Sequence, residues 1–157
     1  MKPKILIIDD EAAICASLTL ALKEKYDVSS ATDAEKGLEI LKKKHFHLVL
    51  LDLIIGESDG LDVLDKIKAF DNSIVVIMMT AFGCIRSSVE AIKKGAYTYL
   101  AKPLDIEELY IYIEQALKFR ALNEKVNYLS LELKSRYKYG EMIGKSPAMQ
   151  DVYKIID

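Results

Sequence analysis

Three stretches of this chain are apolar at every position: ILII at 5–8, LVLL at 48–51 and IVVIMM at 74–79. A strand that shows one face to water alternates apolar and polar residues. A strand covered on both faces does not. Two weaker β-rich runs, 26–30 and 97–100, complete a set of five. Between the runs, apolar residues recur at helical spacing. Ile14, Leu18, Ala21 and Leu22 share one helical face. So do Leu38 and Leu41, then Leu61, Leu64 and Ile67, then Val89, Ile92 and Ala96. Gly60 and Gly95 fall where helices begin or end. This alternation predicts an α/β fold: a five-stranded parallel sheet with helices on both faces and right-handed crossovers. In such sheets ligands bind at the carboxyl ends of the strands, where the strand order reverses.

That rule gathers the polar residues that close each apolar run. Asp9 and Asp10 follow the first strand and Asp52 follows the third. Thr80 ends the fourth, and Lys102 follows the fifth. All five belong at one sheet edge. In a 2-1-3-4-5 order the first and third strands are neighbours, so three carboxylates converge. Singly, each Asp reads as a turn residue or helix N-cap. As a set, they need a cation, or one must be protonated. Hard oxygen ligands suit Mg²⁺, which prefers one or two carboxylates plus a phosphate. Lys102 adds a fixed positive charge and Thr80 a hydroxyl. A divalent metal, an ammonium and a hydroxyl around a carboxylate make a phosphoryl-transfer site, with Asp52 as the nucleophile.

At these residues the chain resembles a response-regulator receiver domain of two-component signalling. The motifs "IIDDE", "LLDL…SDG", "MMTAFG" and "GAYTYLAKP" occur in order, and the match covers roughly 4–117. The resemblance implies a receiver-like (flavodoxin-like) fold and a phosphoacceptor signalling domain rather than an enzyme, one that assists its own phosphorylation and dephosphorylation. It implies that Asp10 binds Mg²⁺ directly and Asp9 through water. Asp52 is then both metal ligand and phosphoacceptor, and the Ile54 backbone carbonyl completes the protein's share of the metal shell. Thr80 and Lys102 contact the phosphoryl oxygens, and Lys102–Pro103 matches the family's cis peptide. Tyr99 occupies the switch-aromatic position: Thr80 moves toward the phosphoryl group and Tyr99 swings inward. The family often has Met-Pro where this chain has Ile55 and Gly56, so a more permissive loop is expected. Ile54 and Phe82 flank the path of the hydrolytic water. Neither can orient it, so slow self-dephosphorylation is expected.

No Gly or Pro interrupts 105–139, which predicts one long C-terminal helix. Ile106, Leu109, Ile113 and Ala116 form a stripe that packs on the sheet. Phe119, Leu122, Val126, Leu129 and Leu133 form a second stripe after a break in heptad phase. The second stripe reads as the seam of a parallel homodimeric coiled coil, with folding back onto the domain as the alternative. Between Lys118 and Lys138 lie six Lys/Arg against two Glu, read as solvated flanks rather than a DNA contact. "GEMIGKS" imitates a P-loop, but only three residues separate its glycines, and Pro147 interrupts the helix that should follow. The stretch "IGKSPAMQDVYKII" instead resembles the opening of the AAA+ ATPase domain of NtrC-like, sigma-54-dependent activators. The expected organisation is a receiver over 1–117, a coiled-coil linker over 118–138 and the start of an AAA+ domain over 139–157. The resemblance further implies a histidine kinase as phosphoryl donor. It also implies downstream AAA+ and DNA-binding domains and sigma-54 polymerase in the full-length protein.

Bulk properties agree with a cytoplasmic regulator. A formal net charge of −2 over 157 residues argues against wholesale nucleic-acid binding. No segment reaches the roughly 18–20 apolar residues of a membrane span, and the first apolar run is too short for a signal peptide. Cys15 and Cys84 lack metal-ligand spacing and read as buried thiols. A metal-dependent phosphatase with an aspartyl intermediate commonly carries a second acid two residues after the nucleophile; that position is Ile54. A scaffold with a vestigial site is disfavoured by the intact set Asp9, Asp10, Asp52, Thr80 and Lys102.

Overall fold

The computed structural model describes the backbone of residues 2–81 and 85–143, and the side chains of these except 85 and 126–143. Phe82, Cys84 and 144–157 therefore lie outside the described residues, as do the side chains of Val126, Leu129 and Leu133. In chain order the elements are β1 (Lys4–Ile8), α1 (Ala12–Leu22), β2 (Asp27–Ala31), α2 (Ala34–Lys43), β3 (Leu48–Asp52), β4 (Ile54–Ile55), β5 (Ser58–Asp59), α3 (Gly60–Phe70), β6 (Val75–Thr80), α4 (Ile85–Lys93), β7 (Thr98–Ala101) and α5 (Ile106–Ile143). The five long strands form one parallel sheet, ordered β2-β1-β3-β6-β7. This is the expected 2-1-3-4-5 order. β4 and β5, which were not expected, form a separate antiparallel hairpin.

The apolar runs sort by the two-residue period of a strand. Ile5, Ile7, Leu48, Leu50, Val75, Ile77 and Met79 pack with Cys15, Leu18 and Leu22 of α1 and Leu109, Ile113 and Ala116 of α5. Leu6, Ile8, Val49, Leu51, Val76 and Met78 pack on the other face, with Leu41 of α2 and Leu61, Leu64 and Ile67 of α3. Burying one such side chain contributes about 1.5–3 kcal/mol. Two full layers of them explain why β3 and β6 carry no polar residue before their last position.

α4 differs from its expected packing. Val89 and Ile92 are about half exposed, while Ser88 and Ala91 point inward. Small side chains let α4 approach the sheet edge, and its larger apolar ones are left outside.

The first compact unit runs Met1–Arg120 and the second Ala121–Asp157. At the amino-terminal edge of the sheet, several polar groups find partners within the protein. His47 Nδ1 accepts from the Lys4 amide at 3.0 Å. Lys68 Nζ donates to the Ile74 carbonyl at 2.7 Å, and burial pulls its pKa down. Arg120, expected among solvated basic flanks, is instead buried, with Nη2 3.4 Å from His45 Nε2. Among the described residues, no helix is long and apolar enough to cross a membrane.

Candidate phosphoacceptor and metal site

The other edge of the sheet is built differently. Parallel pairing brings the last residues of β1, β3, β6 and β7 to the same edge of the sheet, and the turns that follow carry the chemistry. Asp9 is fully buried, and Asp52 and Thr80 nearly so. Asp10 is exposed. Asp9, Asp10 and Asp52 each offer a carboxylate oxygen, all within 4.8 Å of one another. Lys102 Nζ donates to Asp9 Oδ2 at 2.8 Å and to Asp52 Oδ2 at 3.2 Å, and lies 3.7 Å from Glu11. Asp10, Glu11, Asp52, Thr80 and Lys102 line an open cleft of about 180 Å³, together with Leu53, Ile54 and Ala81.

Backbone bonds fix each position. The Asp9 amide donates to Ala31 O at 3.1 Å, the Leu53 amide to Met79 O at 2.8 Å, and the Lys102 amide to Thr80 O at 2.8 Å. Asp9 also serves its local turn, because Oδ1 accepts from the Glu11 amide at 2.9 Å. The turn-residue role and the site role thus coexist in one carboxylate, one oxygen for each. Cys15 sits beneath, its Sγ donating to Asp9 O at 3.3 Å; burial pushes its thiol pKa up. It is a buried free thiol, as expected.

α3 braces the phosphoacceptor turn from the side. The Gly60 amide donates to Leu53 O at 2.7 Å. A Cβ at Gly60 would lie 2.3 Å from Asp52 O and 2.7 Å from Leu53 O, so only glycine fits. The neighbouring Asp59 caps α3 through Oδ1 at 2.9 Å from the Leu61 amide.

The expected loose loop after Asp52 is instead a closed hairpin. Ile54 pairs with Asp59 and Ile55 with Ser58, leaving Gly56 and Glu57 as a two-residue turn. Gly56 has φ +59°, and no described non-glycine residue has positive φ. That combination is the signature of a type II′ hairpin turn. The Gly56 amide donates across the cleft to Asp10 Oδ2 at 3.2 Å.

The electrostatics are those of a site short of positive charge. Burial and the Asp9 carboxylate push the Asp52 pKa up, against the hydrogen bond and charge of Lys102. Burial disfavours the Lys102 ammonium, but its bonds to Asp9 and Asp52 outweigh this and hold its pKa above the ordinary value. One ammonium thus serves Asp9, Asp52 and Glu11, while Asp10 has only a backbone donor. Clustered hard oxygens with this charge deficit fit a small divalent cation.

The remaining expected residues are placed as follows. Lys102–Pro103 is cis. Tyr99 on β7 is 43% exposed, and Ile54 is 52% exposed at the mouth of the cleft. Phe119 and Leu122 are exposed, with the Phe119 ring 5.3 Å from that of Tyr97.

Comparisons with known proteins point the same way. The chain is 38% identical over 150 residues to the transcriptional regulatory protein ZraR of Salmonella typhimurium, covering 95% of the chain and 33% of that protein. It superposes on the crystal structure of NtrX from Brucella abortus in complex with ADP, with TM-score 0.79 and 30% identity, over 99% of this chain and 33% of that one. The solution structure of the beryllofluoride-activated NtrC4 receiver domain dimer matches with TM-score 0.71 and 33% identity, over 74% of this chain and 98% of that one. The chain thus spans about a third of the length of the curated relatives it matches. The family description "Response regulator receiver domain" fits residues 5–114. With the ordered motifs and the converged acidic edge, that match assigns the chain: it belongs to the response regulator receiver domain family.

Proposed function

We propose that Asp52 accepts a phosphoryl group from a cognate histidine kinase and that the chain passes this state to an attached transcriptional activator. The observation that carries the reading is the meeting of Asp9, Asp10 and Asp52 around one point, with Lys102 Nζ on both Asp9 and Asp52. A carboxylate oxygen of Asp52 bonds to phosphorus as the phosphorus–nitrogen bond to the kinase histidine breaks, leaving an aspartyl phosphate. Lys102 and Thr80 face the new phosphoryl oxygens. Asp9, Asp10, Asp52 and the Ile54 carbonyl would hold Mg²⁺, which supplies positive charge against the developing negative charge. Ile54 at the mouth of the cleft has no group to orient a water, so the phosphoform decays slowly.

The output follows the linker. Residues 1–117 act as receiver and 118–138 as a homodimeric coiled coil seamed by Phe119, Leu122, Val126, Leu129 and Leu133. Residues 139–157 open an AAA+ domain that works with sigma-54 polymerase in the cytoplasm. The likeness along nearly the whole chain to NtrX, solved with ADP, supports this arrangement. The NtrC4 receiver dimer supports coupling of activation to association. Thr80 and Tyr99 form the switch between the two.

The deciding experiment treats the chain with beryllofluoride or acetyl phosphate plus Mg²⁺ and measures its mass in solution. A change in association that is lost in Asp52→Ala is expected. Identical association in every state would leave a passive scaffold as the better reading.

A further inference from the structure

The β4–β5 hairpin puts a backbone donor on the one exposed carboxylate of the cluster. We infer that the Gly56 amide is a positioning group that holds Asp10 in its metal-binding rotamer before the metal arrives. This rests on the reading of the acidic edge as a divalent-cation site.

Asp9 and Asp52 are held by burial, by Lys102 and by backbone packing. Asp10 has none of these. Its side chain is exposed, and its Oδ2 instead accepts from the Gly56 amide, forty-six residues away. An exposed aspartate free to rotate loses side-chain entropy when it binds a metal. A fixed donor on one oxygen removes much of that loss and leaves Oδ1 for the cation. The donor exists only because residue 56 has an N–H, and the turn that aims it forms because residue 56 tolerates φ +59°. Proline provides neither. The same hairpin also holds Ile54, so one turn sets two neighbouring parts of the site.

The test uses the 157-residue chain with Mn²⁺ as the probe ion, titrated by electron paramagnetic resonance, alongside Gly56→Pro and Gly56→Asn. Asn keeps the N–H and tolerates positive φ better than other L-residues. Gly56→Pro is expected to weaken Mn²⁺ binding roughly tenfold, and Gly56→Asn clearly less. Mn²⁺ bound by Gly56→Pro as tightly as by the unaltered chain overturns the role of Gly56. Failure of the unaltered chain to bind Mn²⁺ at millimolar concentration overturns the underlying site reading instead. A second measurement needs no change at residue 56. The Gly56 amide resonance in a ¹H–¹⁵N spectrum should show slow solvent exchange that Asp10→Ala abolishes. Equal exchange in both proteins overturns the hydrogen bond itself.

Discussion

The two edges of this sheet use the same residue types to opposite ends. At the amino-terminal edge Asp71 and Lys68 meet partners close in sequence. Asp71 accepts from the Ser73 amide and hydroxyl, and Lys68 from the same helix end reaches the Ile74 carbonyl. At the carboxyl-terminal edge, carboxylates from separate turns face one another and share one lysine. The pKa shifts record the contrast. Burial pushes the Asp71 carboxyl up, yet the Ser73 hydrogen bonds, with His45 and Arg120 nearby, bring it below its ordinary value. Burial also pushes Asp52 up, and there the neighbouring Asp9 adds to the shift. One edge is settled without a ligand. The other sets like charges face to face.

The sharpest test of that division separates chemistry from its consequence. Thr80→Ala should leave labelling of Asp52 by acetyl phosphate intact while the change in solution mass disappears. An unchanged mass response would return Thr80 to a packing role. Next in size, Gly60→Ala should destabilise the fold by about 3 kcal/mol, because a methyl group would have to displace the carbonyls of Asp52 and Leu53. Urea denaturation reads this directly.

Two carboxylate-to-amide changes then set the edges against each other. Asp71→Asn should cost about 1 kcal/mol at pH 7, from weakened charge-assisted bonds. A lowered folded-state pKa contributes stability above the unfolded value of about 4, and loses it as pH falls through the folded value. The deficit of Asp71→Asn should therefore shrink in denaturation series taken to pH 3. Asp52→Asn should instead leave the metal-free chain no less stable, because it removes a carboxylate whose charged form folding disfavours. Loss of stability in both variants would erase the contrast between the edges.

Much of this was legible in the residues. The apolar runs at 5–8, 48–51 and 74–79 dictated doubly covered strands, and their polar terminators followed the parallel topology to a common edge. β4 and β5 were not legible, because two-residue strands carry no period. Nor was the link from Gly56 to Asp10, which depends on a hairpin closing between distant parts of the chain. The outward turn of Val89 and Ile92 shows a different limit. Periodicity reveals that a helix has an apolar face, but neighbours of suitable size decide whether that face goes in. Arg120 escaped notice for a related reason: a basic residue in a charged helix reads as solvated until a histidine pair is found against it.

That arginine also fixes a distance. α5 starts beside the cis proline at the acidic edge and reaches His45 at the far edge by Arg120. At 1.5 Å per residue the fourteen steps between Ile106 and Arg120 amount to about 21 Å. A residue inserted before Arg120 would pull the latch off His45. Inserted after it, the same residue would leave that contact and the sheet untouched. Over about four turns, the helix is thus indexed to both edges of the sheet at once, by its first residue and by Arg120.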